Sequence, residues 1–407
     1  MFGQLTAIIS KAIAFARRNI AVSFLIGVFV ILSAKGASGQ AFTLSQTFPN
    51  PNPEAGDNFG VSVALSNRFA LIGEFHEQNT GARSRETTYL FDTVTGKRAQ
   101  TFSNPASAVD DGFGWSVALS ENLALIGAFR SDSTAKKNSG AAYLFSNTNG
   151  KLLQTFLNPT PKTESLFGYS VALSKNFALV SAVSSNIAYL FDVNTGRKVQ
   201  TFYNPTPEKK NGFGSSVSLS NNFALIGAYQ GGIGDAENSG AAYLFNAITG
   251  QILQVFINPT PKAQDLFGSS VALSGNYALI GAIFDDTNAE NSGAAYLFNI
   301  LTGKLLQTFI NPTPTAQDNF GGSVALSGNY VCIGASNDHT GNSSGAAYLF
   351  DITTGNLLHT FSNPNFAKGN NFGSSVALSG NKILIGSIFD NTGARNSGAA
   401  YLFTANK

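Results

Sequence analysis

"QDLFGSSVALSGNYALIGA", residues 264–282, has close copies around Phe59, Phe113, Phe167, Phe213, Phe320 and Phe372. Within it Phe267, Ser269, Val271 and Leu273 alternate with Gly268, Ser270, Ala272 and Ser274. On a strand of period two this gives one mostly bulky face and one small face, with no charge on either. A strand with one wet face would carry polar, charged residues there. The alternation therefore predicts a strand buried on both sides, its bulky face packed on the small face of a neighbouring sheet.

The seven Phe-Gly pairs recur at intervals of 46 to 54 residues, a period that points to a solenoid or a propeller. Each unit divides into four short segments, which in the fifth are "FGSSVALS", "YALIGA", "GAAYLF" and "KLLQTFI". "SGN" or a near equivalent joins the first two, and "xxTG" or "TNG" joins the last two. Gly and Asn supply the positive φ that tight hairpins need. "NPTP" closes the fourth segment, because proline offers no N–H to a continuing ladder. The expected fold is an all-β, seven-bladed propeller with four antiparallel strands per blade. The last unit stops at "GAAYLF" (398–403), while "FTLSQTF" (42–48) reads like the missing fourth strand. This N-terminal strand is expected to complete the last blade and close the ring, leaving no free edge.

Composition agrees. The chain of 407 residues has 42 glycines, 34 phenylalanines and only 12% charged residues, against about 25% in ordinary domains. A net charge of +2 with no basic run argues against nucleic-acid binding. A single cysteine, Cys332 in "NYVCIGA", reads as a small buried hydrophobe, so packing rather than disulfides must hold the fold. Lys11, Arg17 and Arg18 precede an apolar run from Ile20 to Ala34, and "KGASGQA" follows. Basic region, short apolar core and small-residue exit make residues 1–39 a signal peptide, the alternative being an uncleaved N-terminal membrane anchor. Residues 41–403 form the propeller. The expected location is outside the cell or on its surface, with membrane contact only if the N-terminal segment is retained.

"FGSSVALS…ALIGA…GAAYLF" resembles the FG-GAP repeat of integrin α-subunit propellers and of many bacterial exported proteins, and the resemblance spans residues 42–403. It implies a seven-bladed propeller used in adhesion or recognition. Integrin-type repeats carry a "DxDxDG"-like calcium loop between the first two strands. Here that place holds only "SGN", "SNR", "SEN", "SKN" or "SNN", without the carboxylates calcium needs. The chain looks closer to a metal-free bacterial branch, and no cofactor is expected. "YLFDITTGNLLHTF" (348–361) is also similar to the repeats of pyrroloquinoline-quinone dehydrogenase propellers. Those dock their blades with a tryptophan in every repeat, whereas Trp115 is the single tryptophan here and lies in another strand.

No catalytic set emerges. His76 and His339 fall in variable loops and His359 replaces a repeat glutamine, which reads as scattered surface histidines. Acids recur before Phe-Gly at Asp57, Asp110, Asp111, Glu164, Asp265 and Asp318, with Asn211 and Asn370 in the other units. The Asn replacements favour turn capping over a cation-binding ring. "DxT" recurs at Asp285, Asp286 and Thr287, at Asp338 and Thr340, and at Asp390 and Thr392, where loop closure is preferred over calcium binding. In a propeller the loops between the second and third strands share a face with those entering the next blade. They are the long and varied ones here, which makes that face the binding face. Unit 3 breaks the symmetry, because its loop shrinks to "VSSN" (183–186). The residue after Phe-Gly is Val61, Trp115 and Tyr169 in units 1 to 3 but Ser or Gly elsewhere. Trp115, Tyr169, Phe129 and Tyr229 are the candidate ligand-binding residues, forming an aromatic groove for a sugar or peptide; inter-blade filling is the competing role. The leading expectation is an exported, non-enzymatic recognition or adhesion propeller for a protein or glycan. The alternatives are an extracellular polysaccharide hydrolase or lyase, and a structural surface-layer or matrix component.

Overall fold

The computed structural model describes residues 41–76, 86–106, 110–120, 122–134, 136–206, 211–231, 237–339, 344–365 and 368–406. The expected signal or anchor (1–39) and Thr340 lie outside the described residues. The strands form seven four-stranded antiparallel sheets, each paired in chain order from the first strand to the fourth. Blade 5 is typical, with strands Phe267–Ser274, Tyr277–Ala282, Ala294–Asn299 and Leu305–Ile310. In blade 7 the fourth place is taken by Phe42–Pro49, which pairs with Ala399–Ala405 from Phe42 opposite Ala405 to Pro49 opposite Ala399. The N-terminal strand therefore closes the ring. Phe48 from that strand is buried against Phe91 of blade 1, with ring centroids 4.7 Å apart.

The core lies between blades rather than within them. Leu225, Leu244 and Phe256 of blade 4 pack with Phe267, Ile280, Tyr296 and Phe298 of blade 5, and the same arrangement repeats around the ring. Burying one such aromatic or aliphatic side chain contributes roughly 1.5–3 kcal/mol. Two features differ from the sequence reading. The reverse face is small only on the first strand; on the second and third strands it presents Leu279 and Leu297 to the next blade. The first strand is also not a continuous ladder, because Phe267 pairs with Ala282 and the next pairing is Ser270 with Gly281. Gly268 and Ser269 bulge out of register. The bulge leaves the Gly268 carbonyl to accept a bond from Ser216 Oγ of blade 4, at 2.9 Å.

That contact belongs to a belt around the channel. Ser62, Ser270, Ser323 and Ser375 bond in the same way to the Phe-Gly glycine of the next blade, at 2.7–2.8 Å. In the blade 2–3 and 3–4 junctions Ser116 and Ser170 instead accept the N–H of Val171 and Val217. The backbones approach so closely that a Cβ on Gly281 would stand 2.0 Å from the Gly321 carbonyl oxygen. This explains the Gly of "IGA". On the outer side, the amide of Gln254 in blade 4 donates to the Leu301 carbonyl in the last hairpin of blade 5, as Gln100, Gln154, Gln200 and Gln307 do in their blades.

Candidate functional site

The varied face rests on a buried polar frame. The Asn of each "NP" that ends a fourth strand is buried. In blade 4, Asn258 Oδ1 accepts the N–H of Thr260 and its Nδ2 donates to Asp265 at 2.7 Å. Asp265 also accepts the N–H of Lys262 at 2.7 Å. Asn50 with Asp57, Asn104 with Asp111, and Asn311 with Asp318 repeat the pair at 2.8–3.0 Å. The acids before Phe-Gly thus cap the turn into each blade, as the Asn replacements implied. One assignment is corrected: in blade 3 the capping place belongs to Ser165, which accepts the N–H of Lys162, while Glu164 beside it accepts from Asn138. The "DxT" acids close their own loops. Asp285 binds Thr287 and the hydroxyl of Tyr296, and Asp390 binds Thr392 and the hydroxyl of Tyr401. Asp338 accepts the hydroxyl of Tyr348 at 2.6 Å.

Within this frame the candidate aromatics come together. Trp115 lies 5.8 Å from Tyr169 and 5.4 Å from Phe129, between ring centroids, and Phe129 meets Tyr169 edge-on at 5.6 Å. Phe75 continues the arc, T-shaped against Trp115 at 5.0 Å. Offset and edge-to-face pairs at these separations add about 0.5–1.5 kcal/mol each beyond burial. Phe75 and Phe129 are buried, whereas Trp115, Tyr169 and Tyr229 are half-exposed. The Arg130 guanidinium stands over both buried rings, 5.3 Å from Phe75 and 4.9 Å from Phe129, so its charge is engaged in cation–π contact. Phe75 and Arg130 escaped the sequence reading. The signal was available, because the residue after "GA" or its equivalent is Phe75, Phe129 and Tyr229 in blades 1, 2 and 4 but Ile283, Ser336 and Ile388 in blades 5 to 7.

Two cavities meet Tyr169. The first, about 460 Å³, is the channel mouth, lined by the Ser and Val ring of the first strands together with Trp115 and Tyr169. The second, about 370 Å³, lies where the blade 3 loop is short. There Val183–Ser185 makes a single 3-10 turn ended by Asn186 in the left-handed region, φ 54°. Tyr169, Tyr229, Ser184, Asn186, Gln230 and Leu166 line it. The short loop also changes the blade junction, since the Phe213 N–H is received by the Asn186 side chain at 3.1 Å. At five other junctions a serine main-chain carbonyl takes that N–H, as Ser239 does for Phe267.

Blade 1 holds the other departure. Glu74 replaces the Ala of "GA" and Glu86 replaces the Gly of "GAAYLF", and both are buried. Glu86 accepts the N–H groups of Gly112 and Phe113, at 3.0 and 2.6 Å, doing the work of the serine carbonyl at other junctions. Burial pushes its carboxyl up to about 7 despite those bonds. Burial, with Asp57 and Glu86 nearby, pushes Glu74 up to about 9, and its Oε2 has no hydrogen-bond partner among the described residues. His76 corrects the expectation of surface histidines: it is buried, with Nδ1 3.1 Å from Asp57 Oδ1. A histidine of the expected exposed kind is His339, although its Nδ1 also reaches Asp318, at 3.0 Å. His359 packs its ring on Phe361 at 4.5 Å. Cys332 is fully buried, which raises its thiol well above the usual range. Among the described residues no group of three or more His, Cys, Asp or Glu side chains is placed to hold a metal ion.

The sequence profile of the FG-GAP repeat matches residues 47–91, 104–145, 207–245, 260–298, 310–350 and 362–403, more than half of the chain. The unmatched unit is blade 3, the one with the shortened loop. No curated protein matches the sequence. Among solved structures, the chain is similar to the computationally designed Ika8 protein, with TM-score 0.51 and 14% identity over 88% of this chain and 100% of that one. At that identity the similarity concerns the fold alone.

Proposed function

The chain belongs to the FG-GAP repeat family, and on that premise we propose an exported, non-enzymatic recognition propeller. Its ligand, a glycan or a protein, binds on the varied face at the aromatic arc of blades 1 to 4. The observation that carries this reading is the contact chain Phe75–Trp115–Phe129–Tyr169, set beside two cavities and absent from blades 5 to 7. Rigid aromatic side chains give large contact area at low entropy cost. Among the described residues the side chains lining the two cavities are serines, aliphatics, amides and aromatics, a composition suited to binding rather than to acid–base chemistry. Secretion or surface display follows from the basic, apolar and small-residue order of residues 1–39. We also place the chain in a branch of the family without calcium loops, on the tight turns such as Gly275–Asn276 that join first and second strands.

Trp115 is the sole tryptophan, so its emission reports on this site alone. A glycan and protein array probed with the propeller should yield a ligand that shifts Trp115 emission saturably. Trp115→Ala and Tyr169→Ala should then weaken that ligand at least about tenfold. A ligand that binds without changing the emission, and equally well to both variants, would contradict the reading.

A further inference from the structure

We infer that the slot between Tyr169 and Tyr229 is a subsite for one ring of a neutral saccharide; this rests on the varied face being the recognition face. Three observations lead there. First, the phenol groups are unspent. The tyrosines of the repeat use their hydroxyls internally: Tyr189 meets Thr160 at 2.6 Å, Tyr296 meets Asp285 at 2.6 Å and Tyr401 meets Asp390 at 2.7 Å. Among the described residues neither Tyr169 nor Tyr229 has a hydroxyl partner, although Tyr169 is buried enough for its phenol to be pushed up. Both side chains are half-exposed, so hydroxyls that have no partner among the described residues can meet one from a ligand.

Second, the described lining of the slot is uncharged. Ser184, Asn186 and Gln230 supply its polar side chains, and among the described residues no Asp, Glu, Lys, Arg or His lines it. Hydroxyls and carboxamides both donate and accept, which matches the alternating donor and acceptor character of sugar hydroxyls. Asn186 spends its Oδ1 on the Phe213 N–H, and among the described residues its Nδ2 has no partner. An acidic polymer or a charged peptide would call for an opposite charge, and the nearby Arg130 is already held over Phe75 and Phe129.

Third, the two tyrosines line one cavity. Gly212 leaves room for Tyr229, because a Cβ there would stand 2.8 Å from its ring, and blades 3 and 5 carry Leu166 and Leu266 at the same place. The shortened Val183–Asn186 turn opens the space between the two tyrosines. Two tyrosines among neutral polar side chains suit the C–H faces and hydroxyl edge of a pyranose.

The test is calorimetry of the whole propeller with cellohexaose, maltohexaose, xylohexaose and chitohexaose, against oligogalacturonate and a mixed decapeptide pool, up to the millimolar range. A neutral oligosaccharide should bind. Tyr229→Phe, which removes one oxygen, should weaken it about tenfold, and Tyr169→Ala should abolish measurable binding. Tyr203→Ser, an exposed position on the outer strand of the same blade, should leave it unchanged. Melting curves check folding, and if Tyr169→Ala unfolds, Tyr229→Phe carries the comparison. Tyr169-dependent binding of the acidic oligomer or the peptides alone would overturn the saccharide assignment and keep the recognition reading. Neutral sugar binding insensitive to both tyrosines would also overturn it. No binding by any probe would overturn both.

Discussion

At Gly281 an added methyl group would meet the backbone of the next blade, a place where blade 3 carries Ser181. The Cβ position of Gly281 lies 2.0 Å from the Gly321 carbonyl oxygen of the next blade, and both partners are backbone. Gly281→Ala should therefore destabilise the protein by more than about 2 kcal/mol, read by urea unfolding. Glu74 is the opposite case, a large acid where blades 2, 3, 4, 5 and 6 keep Ala128, Ala182, Ala228, Ala282 and Ala335. Its folded carboxyl titrates near 9 because burial disfavours the charge. The unfolded chain loses that proton near 4.5, so across the interval the folded state holds more protons and stability falls as pH rises. Glu86 adds to the fall up to about 7, and Asp265, also pushed up to about 7 by burial, acts in the same direction. Glu74→Ala should flatten the drop in Tm between pH 5 and 9; an unchanged slope would show that Glu74 is not the source. The Phe-Gly pair was legible in the sequence because seven copies agree. Glu74 and His76 were not, because a single departure in one copy does not reveal its depth.

Strands and loops divide by what repetition can tell. The glutamine of each fourth strand clamps the last hairpin of the following blade, and His359 takes that place in blade 6. The reason is topological. Blade 7 has no such hairpin, since its third strand Ala399–Ala405 is joined by pairing to Phe42–Pro49 and not by a turn. Gln254→Ala should cost about 0.5–1.5 kcal/mol, whereas His359→Gln should gain nothing, both measured as Tm shifts. The strand count, the turns and the short blade 3 loop could all be read from spacing. The bulge at Gly268 and Ser269 could not, because an inserted pair leaves the alternation of Phe267, Val271 and Leu273 intact. The second observation that spacing hid is the Asn of "NP". Proline explains why the strand stops, but only the geometry shows Asn258 bonding forward to Thr260 and across to Asp265.

For the molecule as a whole, sevenfold repetition builds the ring and its interruptions build the candidate site. Deleting residues 41–49 removes Phe48 and the strand that seals blade 7, so cooperative unfolding should give way to a broad transition. On our reading of the strand-joining turns, calcium or a chelator should leave Tm unchanged. The candidate site was legible where symmetry visibly failed, at Trp115, Tyr169 and the 183–186 loop. Its floor was not, because the Phe75–Trp115 contact joins side chains from separate blades. The most direct measurement replaces Val183–Asn186 with the loop of blade 5, Ile283–Gly293, restoring the symmetry that blade 3 breaks. The grafted protein should keep the far-ultraviolet spectrum and cooperative melt of the parent while losing its array ligands, because the cavity beside Tyr169 and Tyr229 is filled. A folded graft that binds those ligands as the parent does would contradict the account.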